Sequence, residues 1–227
     1  MKYASIAEGR FVSRPNRFVA QVEIQGRPET VHVKNTGRCR ELLTPGCRVY
    51  LARADTGILR LSPRKTAYDL VAAERTDGRL VNLDSQAPNA VMREWLEAQG
   101  RWRIRPEYAF GDSRIDFLAE EGEEKTLIEV KGCTLIAEGR GLFPDAPTLR
   151  GTRHLRELIR ARRQGLGAVA AFVIQCDGIA SVEPNSATDP AFARAFEEAR
   201  EAGVGIWFMS CHVEPDSLAI TGRTELV

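Results

Sequence analysis

The hydrophobic pattern of the chain changes once, near Pro88, and that change limits the fold more than any other feature. Before it, short stretches alternate apolar and polar residues between turn signals: "RFVAQVEIQ" (17–25), "ETVHVKN" (29–35), "RVYLAR" (48–53), "GILRLS" (57–62) and "AYDLVAAE" (67–74). Strands this short and this closely spaced predict a small all-β sandwich or barrel. After Pro88, helical and strand periods mix. "NAVMREWLEAQ" (89–99) puts Val91, Trp95 and Leu96 on one face, with Asn89 as a candidate cap. Three strands follow, at 101–110, 113–119 and 126–135. Then come a loop "AEGRGLFPDAP", a helix near 149–164, an unbroken apolar strand at 168–175, a helix at 189–203 and a strand at 204–210. That order predicts an α/β or α+β core with mixed strand pairing. The expected organisation is two domains, 1–85 and 86–227.

The net charge of +1 conceals an asymmetry. Residues 1–85 carry 15 Lys+Arg against 9 Asp+Glu, a net of +6, and residues 86–227 carry 17 against 22, a net of −5. A basic module joined to an acidic one suits a polyanion grip beside a metal-holding site. The five cysteines are scattered without a C-x-x-C pair, as expected of reduced thiols rather than a zinc cluster. The longest apolar run, "AVAAFVI" (168–174), is too short to span a bilayer, and the N-terminus lacks a signal-like apolar segment. The expectation is a cytoplasmic protein without membrane contact. "GLGAVA" (165–170) precedes a strand instead of following one, which is the wrong context for a dinucleotide loop.

The chemistry concentrates in "IEVKGCTL" (128–135), where alternation sets Glu129 and Lys131 on one face of a core-like strand. Upstream, "EEGEEK" fits a two-residue hairpin with Gly122–Glu123 in a type II′ turn. In that register Glu121 faces Glu124, and Asp116 falls opposite Glu129. Two facing carboxylates repel unless they share something. A shared Mg²⁺, with Mn²⁺ as the alternative, suits oxygen ligands converging from two strands. Lys131 would then orient a water or stabilise charge on a transferring phosphate. Asp116 followed by Glu129-Val130-Lys131 is the D…(D/E)-x-K arrangement of metal-dependent nucleases; the alternatives are a solvated face or a cross-strand Asp116–Lys131 ion pair. Glu107, on the preceding strand, is a further candidate acid. In the helix "TRHLRELIRARR" (152–163), Arg153, Arg156, Arg160 and Arg163 form a basic stripe and His154 sits near the helix start. The stripe is a candidate phosphate contact, the alternative being a solvated helix face.

Several ordered blocks resemble the sugar fermentation stimulation protein family, SfsA: "VKNTGRCRELLTPG" (33–46), "LVNLDSQAPN" (80–89), "EYAFGDSRIDFL" (107–118), "IEVKGCTL" and "FPDAPTLRGTRHLREL" (143–158). The resemblance implies an N-terminal OB-like barrel, a C-terminal restriction-endonuclease-like core, binding of DNA and/or RNA, and nuclease activity. It places Asp116, Glu129 and Lys131 at the active-site positions. An OB-like barrel offers a groove to single-stranded nucleic acid, for which Lys34, Arg38 and Arg40 are the candidate contacts. The alternative is a DNA-binding regulator of sugar metabolism whose nuclease-like site is weak or unused. Cutting both strands of a duplex would favour a homodimer.

Overall fold

In a computed structural model, residues 1–35, 37–54 and 66–226 are described. The strand expected at 57–62 lies outside them. In the N-terminal half, β1 (Ile6–Asn16), β2 (Val19–Ile24), β3 (Arg27–Val33), β4 (Arg48–Arg53), β5 (Tyr68–Glu74) and β6 (Leu80–Asn82) form one sheet in the order β3-β2-β1-β4-β5-β6. Parallel pairing of β3 with β5, His32 opposite Asp69 and Val33 opposite Leu70, closes it into a five-strand barrel. The sequence pattern hides β1, the strand that pairs with both β2 and β4. Gly9, Ser13 and Pro15 interrupt its alternation, and the register slips after Phe11 and Ser13. Gly9 has a packing reason: a Cβ there would stand 2.9 Å from the Glu23 carbonyl oxygen.

The C-terminal half holds a second six-stranded sheet. Its members are β7 (Arg103–Phe110), β8 (Ser113–Glu121), β9 (Glu124–Cys133), β12 (Gly167–Ile174), β14 (Gly205–Glu214) and β15 (Ser217–Leu226), in the order β15-β14-β12-β9-β8-β7. Strands β9, β12 and β14 run parallel and the outer pairs antiparallel, so the pairing is mixed as expected. Helix α1 (Ala87–Ala98) covers one face through Val91, Met92 and Leu96 against Ile128, Val130 and Val173. Helices α2 (Leu149–Arg163) and α3 (Pro190–Glu201) cover the other, with Leu155, Leu158, Phe192 and Phe196 against Leu127 and Phe172. The three tryptophans, Trp95, Trp102 and Trp207, pack together on the α1 side with ring centroids 6.2–6.4 Å apart.

Helix starts are set locally. Thr148 caps α2 by accepting from the Gly151 N–H, and Asp189 caps α3 by accepting from the Phe192 N–H. The other oxygen of Asp189 accepts from the Thr148 N–H at 2.8 Å, so one carboxylate fixes the start of both helices. Asn89 is not the cap of α1. The cap position is Gln86, without a side-chain bond, and Pro88 begins the helix early enough to place Asn89 inside it. The strand expected at 126–135 ends at Cys133, and the segment expected as a plain loop (137–147) holds β11 (Arg140–Phe143), which with β10 (Leu135–Ala137) and β13 (Val182–Pro184) makes a small third sheet. The β10–β11 hairpin turns on Glu138 and Gly139, both with positive φ, the requirement of a type I′ turn. Strands of three or four residues leave too little alternation to be read from sequence.

The barrel is fastened to the second sheet by a buried amide. Gln175, at the end of β12, donates to the Asn82 carbonyl and Oδ1 at 3.0 Å and to the Asp84 carbonyl at 3.2 Å. Val81 bridges Cys176 beside it. Gln175→Leu preserves volume but strands these acceptors away from water. It is expected to lower unfolding free energy by about 2 kcal/mol, read as a lower urea midpoint at unchanged slope.

Candidate active site

The β8–β9 hairpin folds in the register expected from its turn. Glu121 pairs with Glu124 and Phe117 with Ile128, and Gly122 has φ 62°. The ladder stops there, one step before Asp116 would meet Glu129. Ile115 and Leu118 join the core under α2, whereas Phe117 and Ala119 join the core under α1. Residues three apart on a regular strand face opposite ways, so alternation breaks at Asp116. The break lets the carboxylate take the place of a ladder bond. Asp116 Oδ2 accepts from the Val130 N–H at 2.8 Å, and Oδ1 accepts from Asn89 Nδ2 at 2.7 Å. Val130 is the residue between Glu129 and Lys131.

Glu129 is 2% exposed. Its Oε1 meets two partners: Lys131 Nζ at 2.5 Å, and Nδ1 of His154 within hydrogen-bonding distance. A ring nitrogen held against a carboxylate carries the proton, so Nδ1 donates. Lys131 Nζ lies 3.4 Å from the same nitrogen, closing a Glu129–Lys131–His154 triangle. Among the described residues, the second oxygen, Oε2, is buried and accepts no hydrogen bond.

The two carboxyls are driven apart in acidity. Burial, reinforced by the charge of Glu129, raises Asp116 above the usual range despite donations from Val130 and Asn89. Burial pushes Glu129 upward too, but the Lys131 charge and the bonds from His154 and Lys131 outweigh it, and its pKa is lowered. Paired acids with opposed shifts are the pattern expected of two carboxyls set to different roles.

The glycine after the lysine is required by close approach. A Cβ at Gly132 would lie 2.5 Å from Gln175 Oε1 and 2.7 Å from the Pro88 ring. The blocks "LVNLDSQAPN" and "IEVKGCTL", about 40 residues apart in the chain, therefore touch at one point.

Other candidates fall in different places. His154 is 2% exposed, and its Nδ1 is engaged with Glu129. Arg153 and Arg156 are exposed on α2 and, among the described residues, have no carboxylate within ion-pair distance. Arg160, on the same helix, is half-buried, paired with Glu157 and stacked on Phe110. Glu107 is exposed and turned to Arg114 at 3.4 Å rather than to Asp116, and its φ of 54° interrupts β7 beside the hairpin. Lys34 is held between Asp84 (3.1 Å) and Asp69 (3.6 Å), which makes it a fastener of the barrel to the start of α1. Arg38 and Arg40 are exposed. Their loop is tied down by Arg14, which donates to the carbonyls of Asn35, Gly37, Arg38 and Arg17 at 2.6–2.8 Å. Asp145, in the segment before α2, abuts Gly37 and brings that loop to the C-terminal half.

Sequence reasoning passed over Arg14 and Gln175 and gave Asn89 only a capping role. Each is a neutral or basic side chain whose partners are far away in the chain, and periodicity carries no signal for such pairs. Among the described residues, no group of three or more His, Cys, Asp or Glu side chains stands together as a complete metal-ligand set, and no helix is long and apolar enough to cross a membrane.

Residues 86–217 match the family model "Sugar fermentation stimulation protein RE domain", and residues 12–83 match "SfsA N-terminal OB domain". A sugar fermentation stimulation protein homolog of Desulfitobacterium hafniense (strain DSM 10664 / DCB-2) is 50% identical over 221 residues, covering 96% of this chain and 94% of that one. A homolog of Clostridium beijerinckii is 42% identical over 231 residues and all of both chains. The solved structure of Pyrococcus furiosus SfsA in complex with Ca²⁺ is similar with a TM-score of 0.84 at 29% identity, covering 98% of this chain and 96% of that one.

The raised pKa of Asp116 fixes the sign of one expectation. A folded pKa above the unfolded value means that the ionised carboxylate costs stability. That cost is absent below the unfolded pKa and develops as pH rises through the folded one. Asp116→Asn is expected to stabilise metal-free protein at neutral pH. The gain, followed by thermal melts across pH, shrinks as the pH falls below the carboxylate range.

Proposed function

The chain belongs to the sugar fermentation stimulation protein family, and from that premise we propose that it is a metal-dependent nuclease hydrolysing phosphodiester bonds in DNA or RNA. The observation that carries this reading is the meeting of Asp116, Glu129 and Lys131 where β8 and β9 part. Setting a buried Glu129 and a half-buried Asp116 close to one lysine is costly for a merely structural purpose, because each carboxylate loses water that the pairing only partly replaces.

The residues fit a divalent cation. Glu129 Oε2 is a buried oxygen without a donor, and each Asp116 oxygen keeps a lone pair after its single hydrogen bond. Two carboxylates suit Mg²⁺ or Mn²⁺, hard ions that take oxygen ligands and complete their shell with water rather than a third acid. The Pyrococcus furiosus relative is described with Ca²⁺, another such ion. Held by Asp116 and Glu129, the ion would supply Lewis-acid neutralisation of phosphate charge and acidify a water.

The remaining work belongs to the chain. The Lys131 ammonium, 10% exposed, is positioned to take up negative charge as the phosphorus becomes five-coordinate. His154 fixes the Oε1 side of Glu129 and leaves Oε2 as the free ligand atom. Arg153 and Arg156, exposed on the helix that carries His154, contact backbone phosphates. Arg38 and Arg40 extend that contact along the barrel loop, which favours sequence-tolerant gripping.

A second reading has one observation in its favour. Lys131 and His154 both close onto the same Glu129 oxygen, and the cluster is self-paired without a ligand. A nucleic-acid-binding regulator with an unused site would look like this. It would bind in a salt-sensitive way without turnover.

The test is cleavage of labelled single- and double-stranded DNA and RNA with Mg²⁺ or Mn²⁺. Glu129→Gln and Lys131→Ala are expected to slow cleavage by at least about 100-fold while the fold persists. Wild-type protein that binds these substrates but cleaves none with either metal overturns the nuclease reading in favour of the regulator.

A further inference from the structure

A carboxylate that is to serve as a ligand must be fixed in its plane, and one hydrogen bond does not do this. A single donor holds one oxygen and leaves rotation about the Cβ–Cγ bond. Asp116 has two donors, one on each oxygen: the Val130 N–H on Oδ2 and Asn89 Nδ2 on Oδ1. The backbone donor is set by the strand and is present whatever the sequence. The amide is the half that the sequence chooses.

Its chemistry is matched to the task. A lysine or arginine in this place would neutralise Asp116 and compete with a cation for it. A carboxamide donates a proton but brings no charge, so Asp116 keeps its own. Asn89 is also held firmly enough to direct its neighbour. Asp84 accepts from the Gln86 N–H at 2.9 Å just ahead of α1, and Lys34 of the barrel bonds the other Asp84 oxygen at 3.1 Å. Ser85 reaches back to the Lys34 carbonyl. Pro88, immediately before Asn89, rests in the space left by the missing side chain of Gly132. The first turn of α1 is thus fixed on the barrel side and on the β9 side at once.

We infer that Asn89 is the positioning residue that orients Asp116 for cation binding, and that its own placement is set by the barrel through Lys34 and Asp84. The inference rests on the reading of Asp116 as a cation ligand. Its test is therefore arranged so that the two can fail separately. Metal-stripped full-length protein is titrated with Mn²⁺ by calorimetry, alongside thermal melts, for wild type, Asn89→Ala and Asn89→Gln. Asn89→Ala is expected to weaken Mn²⁺ binding by about 10–100-fold with at most a small drop in melting temperature, since the better helix propensity of alanine offsets part of the hydrogen bond lost to Asp116. Asn89→Gln, which keeps an amide donor, is expected to recover part of the lost affinity. Wild type that binds Mn²⁺ no better than Asn89→Ala overturns the role of Asn89 alone. If affinity and melting temperature both fall steeply in Asn89→Ala and Asn89→Gln restores neither, Asn89 is merely structural and the inference is likewise overturned. Wild type that binds no Mn²⁺ overturns the cation-ligand reading itself, and the inference with it.

Discussion

A carboxylate buried to 2% exposure must be compensated, and the compensation of Glu129 organises this molecule. Its partners come from different levels of the structure. Lys131 is two residues away on the same strand, and its reach needs only the period of a β-strand. His154 arrives from α2, so that helix must be docked and started in the right place. The remaining oxygen is left without a donor in the one region where both acidic strands part. Stability alone would favour an apolar residue here, because a buried ion pair rarely outweighs its desolvation. Retaining the charge keeps, among the described residues, a buried carboxylate oxygen without a donor between the sheet and α2.

The two halves of the chain are less separate than their different strand patterns imply. One connected core runs from Val22 and Leu70 in the barrel, through Val81 and Leu83, to Ile174 and Phe172 in the second sheet. Polar contacts follow the same route: Gln175 holds Asn82, and Asp84 holds Lys34 and the start of α1. The basic excess of the first half is thereby joined rigidly to the acids of the second.

Much of this was legible in the sequence, and the parts that were not share a cause. The barrel and the mixed core followed from alternation and its change at Pro88. The β8–β9 register followed from a single turn, because Gly122 admits the positive φ that a two-residue hairpin needs. Those are local constraints. The sequence did not disclose β1, whose glycine and proline serve curvature and long-range pairing, nor the three-residue strands of the small sheet. Within the candidate site, the charged residues on one strand were visible and their neutral supports were not. Asn89 looked like a helix cap because that is the commonest use of asparagine at such a position; the proline before it shifted the helix start and freed its side chain for Asp116. The partners that Lys34 and His154 have in the fold, Asp84 and Glu129, lie 50 and 25 residues away, beyond the reach of any local pattern.

The double service of Asp189 has a consequence for the order in which the molecule can be made. Its carboxylate starts α3 and at the same time holds Thr148, the first residue of the turn that brings His154 to Glu129. Synthesis proceeds from the N-terminus, and domains form as they emerge. The barrel and the β8–β9 hairpin can therefore be complete while Asp189 is still inside the ribosome. Until it emerges, α2 lacks its anchor and Glu129 has only Lys131. The acidic cluster closes late, after the barrel and its Arg14-tied loop have already been built.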